Sequence, residues 1–176
     1  MITKNIKQRM KEYFLQNPTA KMRVRQLERE LKMPLPSVVR YLKELVNENL
    51  IKGELFGGIK LYSADRSSKS FILEKKLYNL RGLYECGLVD YIIEKYHNPP
   101  IVVFGSYGLG EDIEDSDIDL YIETSKSELN LEKFETKLKR KIQVFCYKNL
   151  KLVGNKELAN SIINGVKLNG FLEVLK

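Results

Sequence analysis

Histidine occurs once in the 176 residues, at His97, and cysteine twice, at Cys86 and Cys146. The single histidine excludes every mechanism that needs two. Its place between Tyr96 and Asn98, at a helix carboxyl end, suits a dipole partner better than a catalyst. The cysteines lie 60 positions apart with no CxxC or Cys/His spacing. Neither a structural zinc site nor a disulfide framework is expected, and a cytoplasmic location follows from that reducing chemistry. Long hydrophobic runs are missing as well. Stretches such as Ile101-Val102-Val103-Phe104 are far too short to span a bilayer, so no membrane partner is expected. The amino end, MITKNIKQRMKEYF, carries charges every few residues and no apolar h-region, and is not read as a secretory signal. What is present is an ordinary globular composition, 43% hydrophobic and 30% charged, which excludes wholesale disorder.

The net charge of +7 is unevenly placed. Residues 1–66 hold 14 Lys+Arg against 7 Asp+Glu, whereas residues 67–176 hold 16 against 16. A local basic excess is the electrostatic footprint of a module that meets polyphosphate, so two domains with different jobs are expected.

In residues 1–66, Ile6, Met10, Tyr13 and Phe14 fall at i, i+4, i+7 and i+8, one face of a helix that Asn17-Pro18 ends. Val24, Leu27 and Leu31 mark a second, short helix. Met33-Pro34-Leu35-Pro36 reads as a turn, after which Ser37 caps a third helix with Val38, Leu42, Leu45 and Val46 inward. The period then drops to two. Ile51, Gly53 and Leu55 alternate with polar residues, Phe56-Gly57-Gly58 turns, and Ile59 and Leu61 alternate back as a β-hairpin.

The stretch SVVRYLKELVNENLIKGELFGGIKLY resembles the recognition helix and wing of the winged helix-turn-helix family. That resemblance implies binding to double-stranded DNA, with the outer face of the third helix in the major groove. Ser37, Arg40, Tyr41 and Lys43 or Glu44 lie on or near that face. Arg40 is the candidate reader of a guanine edge, and Arg23, Arg25 and Lys60 suit phosphates.

Residues 67–98 form a connecting segment. It is helix-compatible from Phe71 to Tyr96, with breaks expected near Gly82 and Gly87 and an end at Asn98-Pro99-Pro100. Its apolar faces can pack on the second domain or on another copy of the chain, as a homodimer.

Residues 99–176 carry the chemistry. Ile101 to Phe104 reads as a buried strand and runs into Gly105-Ser106-Tyr107-Gly108-Leu109-Gly110. An acidic stretch follows, then Ser116-Asp117-Ile118-Asp119-Leu120-Tyr121-Ile122, which alternates as a second strand. On a strand Asp117 and Asp119 project from one face. Two carboxylates one pleat apart repel unless a cation lies between them, so divalent metal binding is the physical expectation. The loop has neither the GxxxxGK[ST] order of a P-loop nor the GxGxxG order of a Rossmann turn. It offers Gly105 for close approach and Ser106 with a hydroxyl and an N–H for a phosphate oxygen. A phosphate cradle beside metal carboxylates is what nucleotidyl transfer needs.

VVFGSYGLGEDIEDSDIDLYIE resembles the core motif of the polymerase-β-type nucleotidyltransferases, especially the minimal bacterial and archaeal ones: Gly-Ser, ten residues, then Asp-x-Asp between apolar strands. The likeness spans about residues 88–150. It implies a small mixed-sheet α/β domain, an NTP substrate and Mg2+. Gly105 and Ser106 would bind the nucleotide, and Asp117 and Asp119 would act as metal ligands and catalytic carboxylates. The acceptor in that family is a protein, an antibiotic or a nucleic acid. Two departures stand out. The arginine often found in the family's loop is absent, and the third carboxylate of active members falls, on the strand Lys141-Ile142-Gln143-Val144-Phe145, at Gln143. Glu111, Asp112, Glu114 and Asp115 read as a solvated acidic loop, and Lys137, Lys139, Arg140 and Lys141 as a solvated basic helix end. Leu158, Ile162 and Val166 mark a last helix over residues 155–166, before a strand-like piece from Leu168 to Val174. The expectation is an α+β or α/β chain that transfers NMP from an NTP to an unidentified acceptor. The alternative is a DNA-binding regulator whose inactive second domain senses nucleotide or dimerises.

Overall fold

The computed structural model describes residues 6–174. Residues 1–5, which begin the stretch read for a secretory signal, and residues 175–176 lie outside the described residues. No described helix is long and apolar enough to cross a membrane. The chain divides into two compact units, Met1–Lys75 and Lys76–Lys176. The division falls inside a helix, α4 (Lys69–Glu85), rather than in the polar run 65–70.

The first unit has the element order its periodicities predict: α1 (Ile6–Gln16), α2 (Val24–Leu31), α3 (Leu35–Asn47), then a hairpin of β1 (Ile51–Phe56) and β2 (Ile59–Ala64). Met10, Phe14, Leu27, Val38, Leu42 and Leu45 are buried to 1% exposure or less and make its core. One detail differs from expectation. α3 begins at Leu35, capped by Pro34, with Pro36 in its first turn, so Ser37 lies within the helix and is not its cap. Proline is tolerated there because the first-turn N–H groups have no intrahelical acceptor to lose. The hairpin turns at Gly57 and Gly58, whose φ angles of +55° and +76° are those a tight two-residue turn demands. Met22 bridges Tyr62 and ties the segment before α2 to the hairpin.

The hairpin tip leaves Leu55 and Phe56 76% and 77% exposed, so alternation at its end does not mark a buried face. Leu42→Ala is therefore expected to cost about 2–5 kcal/mol as a cavity in the core. Phe56→Ala should stay within about 0.5 kcal/mol of wild type. Urea midpoints check both, and equal losses would contradict this division of core from tip.

In the second unit, α5 (Leu88–Tyr96) is followed by β3 (Ile101–Phe104), α6 (Gly105–Leu109), β4 (Ile118–Glu123), α7 (Glu132–Leu138), β5 (Ile142–Tyr147), α8 (Lys156–Ile163) and β6 (Val166–Asn169). The sheet order is β5-β4-β3-β6. β3 lies antiparallel to both β4 and β6, and β4 lies parallel to β5. All four residues of β3 are buried, as its unbroken apolar run predicts for a central strand. Ile101, Val103, Ile118 and Leu120 face a core completed by Leu83, Leu88, Ile92 and Phe134. Val102, Phe104 and Tyr121 face a second core with Leu150, Val153 and Ile162. α5, expected in a connecting segment, thus belongs to the packing of the second unit.

Gly82 does not interrupt α4, which continues to Glu85. A single helical glycine costs only about 1 kcal/mol against alanine, too little to end a helix of 17 residues. Gly87, at φ +82°, does separate α4 from α5. Val166 sits on β6 and not on α8. The chain breaks at Gly165, where a Cβ would stand 2.6 Å from the Val103 carbonyl oxygen.

Candidate functional site

The topology brings three strand ends together. Because β3 and β4 are antiparallel, the end of β3 meets the start of β4, and Phe104 pairs with Asp119. Because β5 runs parallel to β4 from the same end, Asp119 in turn pairs with Gln143. Residues in register share a face of the sheet, so Phe104, Asp119 and Gln143 stand in a row on one face, which also carries the tilted Phe104–Phe145 ring pair, centroids 5.4 Å apart.

Gly105 leaves β3 at φ +68° and opens α6. A Cβ on it would lie 2.5 Å from Asp119 Oδ2. The dihedral favours glycine, and a Cβ would fit only if the turn or the Asp119 carboxylate moved. Ser106 follows, half-buried. Asp117 stands just before β4, two residues from Asp119. Burial first, and the Asp117 charge second, hold the Asp119 carboxyl above its usual range. A partly buried carboxylate beside a second negative charge is one whose ionised form a cation would favour.

The candidate donors for an ion are the Asp117 and Asp119 carboxylates, with the Gln143 amide on the strand position paired with Asp119. Among the described residues no group of three or more His, Cys, Asp or Glu is gathered to hold a metal. Two carboxylates near each other would suit an ion of the magnesium kind, which keeps several waters and takes one or two carboxylates together with substrate phosphates.

Two expectations for the neighbouring charges fail. Asp112 is not solvated: it is 1% exposed and accepts a 2.6 Å hydrogen bond from Asn79 Nδ2. Arg140 is not a free helix end either. Its side chain is 12% exposed and its Nη2 lies 3.8 Å from Asp112 Oδ2. The basic run diverges after it, with Lys141 80% exposed beside Glu135.

In the first unit, Arg40 and Lys43 are exposed on α3, and Ser37 and Tyr41 are half-buried on the same helix. The Arg40 guanidinium lies 4.4 Å above the Tyr41 ring and hydrogen-bonds its hydroxyl. Glu44 pairs with Lys7 at 3.1 Å, which draws it toward α1. Lys60 is exposed on β2, its ammonium 5.4 Å from the Tyr62 ring centroid. Arg23 and Arg25 line a depression together with Arg29, which the sequence analysis did not single out. The signal that could have found it is its spacing, one helical turn after Arg25.

A family model described as a nucleotidyltransferase domain matches residues 86–164. The match takes in α5 through α8 and hence the Gly-Ser turn, both aspartates and Gln143. It supports a nucleotidyltransferase domain of the polymerase-β type in the second unit. No curated protein and no solved structure gives a match.

Proposed function

We propose that the second unit binds a nucleoside triphosphate with Mg2+ at Gly105, Ser106, Asp117 and Asp119 and transfers its nucleotidyl group to an acceptor. The observation that carries this reading is the closeness of the Gly105 turn to Asp119, which sets phosphate-binding backbone beside a carboxylate pair. Ser106 offers its hydroxyl and N–H to phosphate oxygens, and Gly105 keeps the turn open to them. Asp117 and Asp119 would hold the ion. When bound, Mg2+ supplies charge neutralisation of the triphosphate and alignment for in-line attack. With α-labelled NTPs and Mg2+, label is expected to move into a protein or nucleic-acid fraction at a rate that Asp117→Ala abolishes. Transfer that survives this substitution would overturn the assignment.

Gln143 favours a second reading, a DNA-binding regulator that senses nucleotide without turning it over. An amide in register with Asp119 brings no charge and cannot take a proton. The two readings separate on Gln143→Glu. A third carboxylate should tighten Mg2+ binding and raise the transfer rate if chemistry is limited by charge at that position. A tighter ion without any transfer would favour the sensor.

The first unit is proposed to bind double-stranded DNA through α3, with Arg40 and Lys43 as the exposed cations on that helix and Arg23, Arg25 and Lys60 on phosphates. The support is the +7 charge of residues 1–66 and the element order. Gel retardation should weaken steeply with salt, and Arg40→Ala should cost about 1–3 kcal/mol on a specific site. An Arg40→Ala protein that binds as wild type at every salt concentration contradicts it.

A further inference from the structure

The turn that carries Ser106 is only the five residues Gly105–Leu109, too short to hold a helical conformation by itself. What holds it from below is a side chain 28 positions earlier in the chain. Asn79, on α4 and 1% exposed, donates from Nδ2 to the Tyr107 carbonyl at 2.9 Å and to Asp112 Oδ1 at 2.6 Å. One amide thereby joins the backbone just after Ser106 to a buried carboxylate. That carboxylate is in turn faced by Arg140, from the turn before β5, at 3.8 Å. Three segments distant in sequence converge beneath α6.

Stability alone does not account for this cluster. Replacing a buried ion pair by apolar residues is often neutral or stabilising, because taking both charges out of water offsets their attraction. Here the pair is also imperfectly satisfied: Arg140 Nε is buried with no hydrogen-bond partner. A well-packed apolar filling would serve the core better, yet it could not hold a carbonyl at a fixed place.

We propose that Asn79 is a positioning residue for the Gly105–Ser106 turn, anchored by Asp112 and Arg140. The inference rests on the nucleotide-binding reading of that turn. Asn79 touches no substrate. It acts by fixing the Tyr107 carbonyl, and through it the direction of the Ser106 N–H and hydroxyl.

The test measures the dissociation constants of ATP, CTP, GTP and UTP with Mg2+ by titration calorimetry, well below the melting temperature. The proteins are full-length wild type, Asn79→Leu and Ile92→Ala. Ile92→Ala opens a cavity in the same unit and serves as a control for stability loss alone. Asn79→Leu is expected to bind the preferred nucleotide about tenfold more weakly, the worth of roughly one positioned hydrogen bond, while Ile92→Ala binds as wild type. Asn79→Ser, smaller and still polar, replaces the leucine variant if that protein does not fold, and the same loss is expected. Unchanged affinity in a folded Asn79 variant, or an equal loss in Ile92→Ala, overturns the positioning role. If the wild type binds none of the four nucleotides, the reading of the turn itself fails and the inference falls with it.

Discussion

Gly105→Ala is expected to abolish nucleotide binding while leaving a folded protein. A left-handed backbone costs a residue with a Cβ about 1–2 kcal/mol. The new methyl would also stand 2.5 Å from Asp119 Oδ2, so either the turn or the carboxylate must move. Both movements dismantle the proposed site, since each separates phosphate-binding backbone from the ion-binding carboxylate. Wild type in nucleotide and Mg2+ at about 100 times the dissociation constant should gain roughly 2.7 kcal/mol. That gain should vanish in Gly105→Ala. Gly154→Ala is the matched control, because nothing lies within 4 Å of a Cβ there. It should fold and bind as wild type. A Gly105→Ala protein that keeps the ligand-dependent gain would show that the turn does not meet the nucleotide.

Asp119→Asn should make the ligand-free protein more stable at neutral pH and insensitive to Mg2+ with nucleotide. Burial and the neighbouring Asp117 raise the Asp119 carboxyl above its unfolded value, so the native state holds its proton more tightly. Stability then falls as pH rises from the unfolded carboxylate range through the folded pKa, and it stays lower above that. At neutral pH the ionised group is a cost, and a neutral amide of the same shape removes it. Below the unfolded carboxylate range, near pH 3.8, the two proteins should melt together. With Mg2+ and nucleotide the order should invert, because only the wild type gains a ligand. Melting temperatures across pH, with and without ligand, check both halves. A ligand-free Asp119→Asn protein less stable than wild type at pH 7 would contradict the repulsive pair.

The parts of this molecule that were legible in the sequence are those dictated by short-range pattern. The run Ile101 to Phe104 reads as a buried strand and is one, whereas the segment from Gly105, read as a loop, is a short helix, α6. The alternation from Ser116 to Ile122 predicts a second strand, which begins only at Ile118 and leaves Asp117 just before it, and antiparallel pairing brings Asp119 to the end of β3. The family resemblance singles out Gln143 on the next apolar strand, and the structure adds that it pairs in register with Asp119.

Where the reading failed, long-range partners decided. Glu111 to Asp115 looks like any solvated acidic loop. Asp112 is buried because Asn79 lies 33 positions before it and Arg140 waits near β5, and neither spacing is a local motif. The start of α3 was misjudged for a different reason. Two prolines suggest a turn, whereas a helix can begin on them without losing a hydrogen bond. Gly82 suggests a break, but a propensity worth only about 1 kcal/mol does not end a helix as long as α4.

The most direct test of the account is thermal stabilisation by ATP, CTP, GTP and UTP, each with and without Mg2+, in wild type and Asp117→Ala. It requires no knowledge of the acceptor. The account predicts a Mg2+-dependent rise in melting temperature with at least one nucleotide, abolished by Asp117→Ala. No rise with any of the four, or a rise that persists in Asp117→Ala, would contradict it.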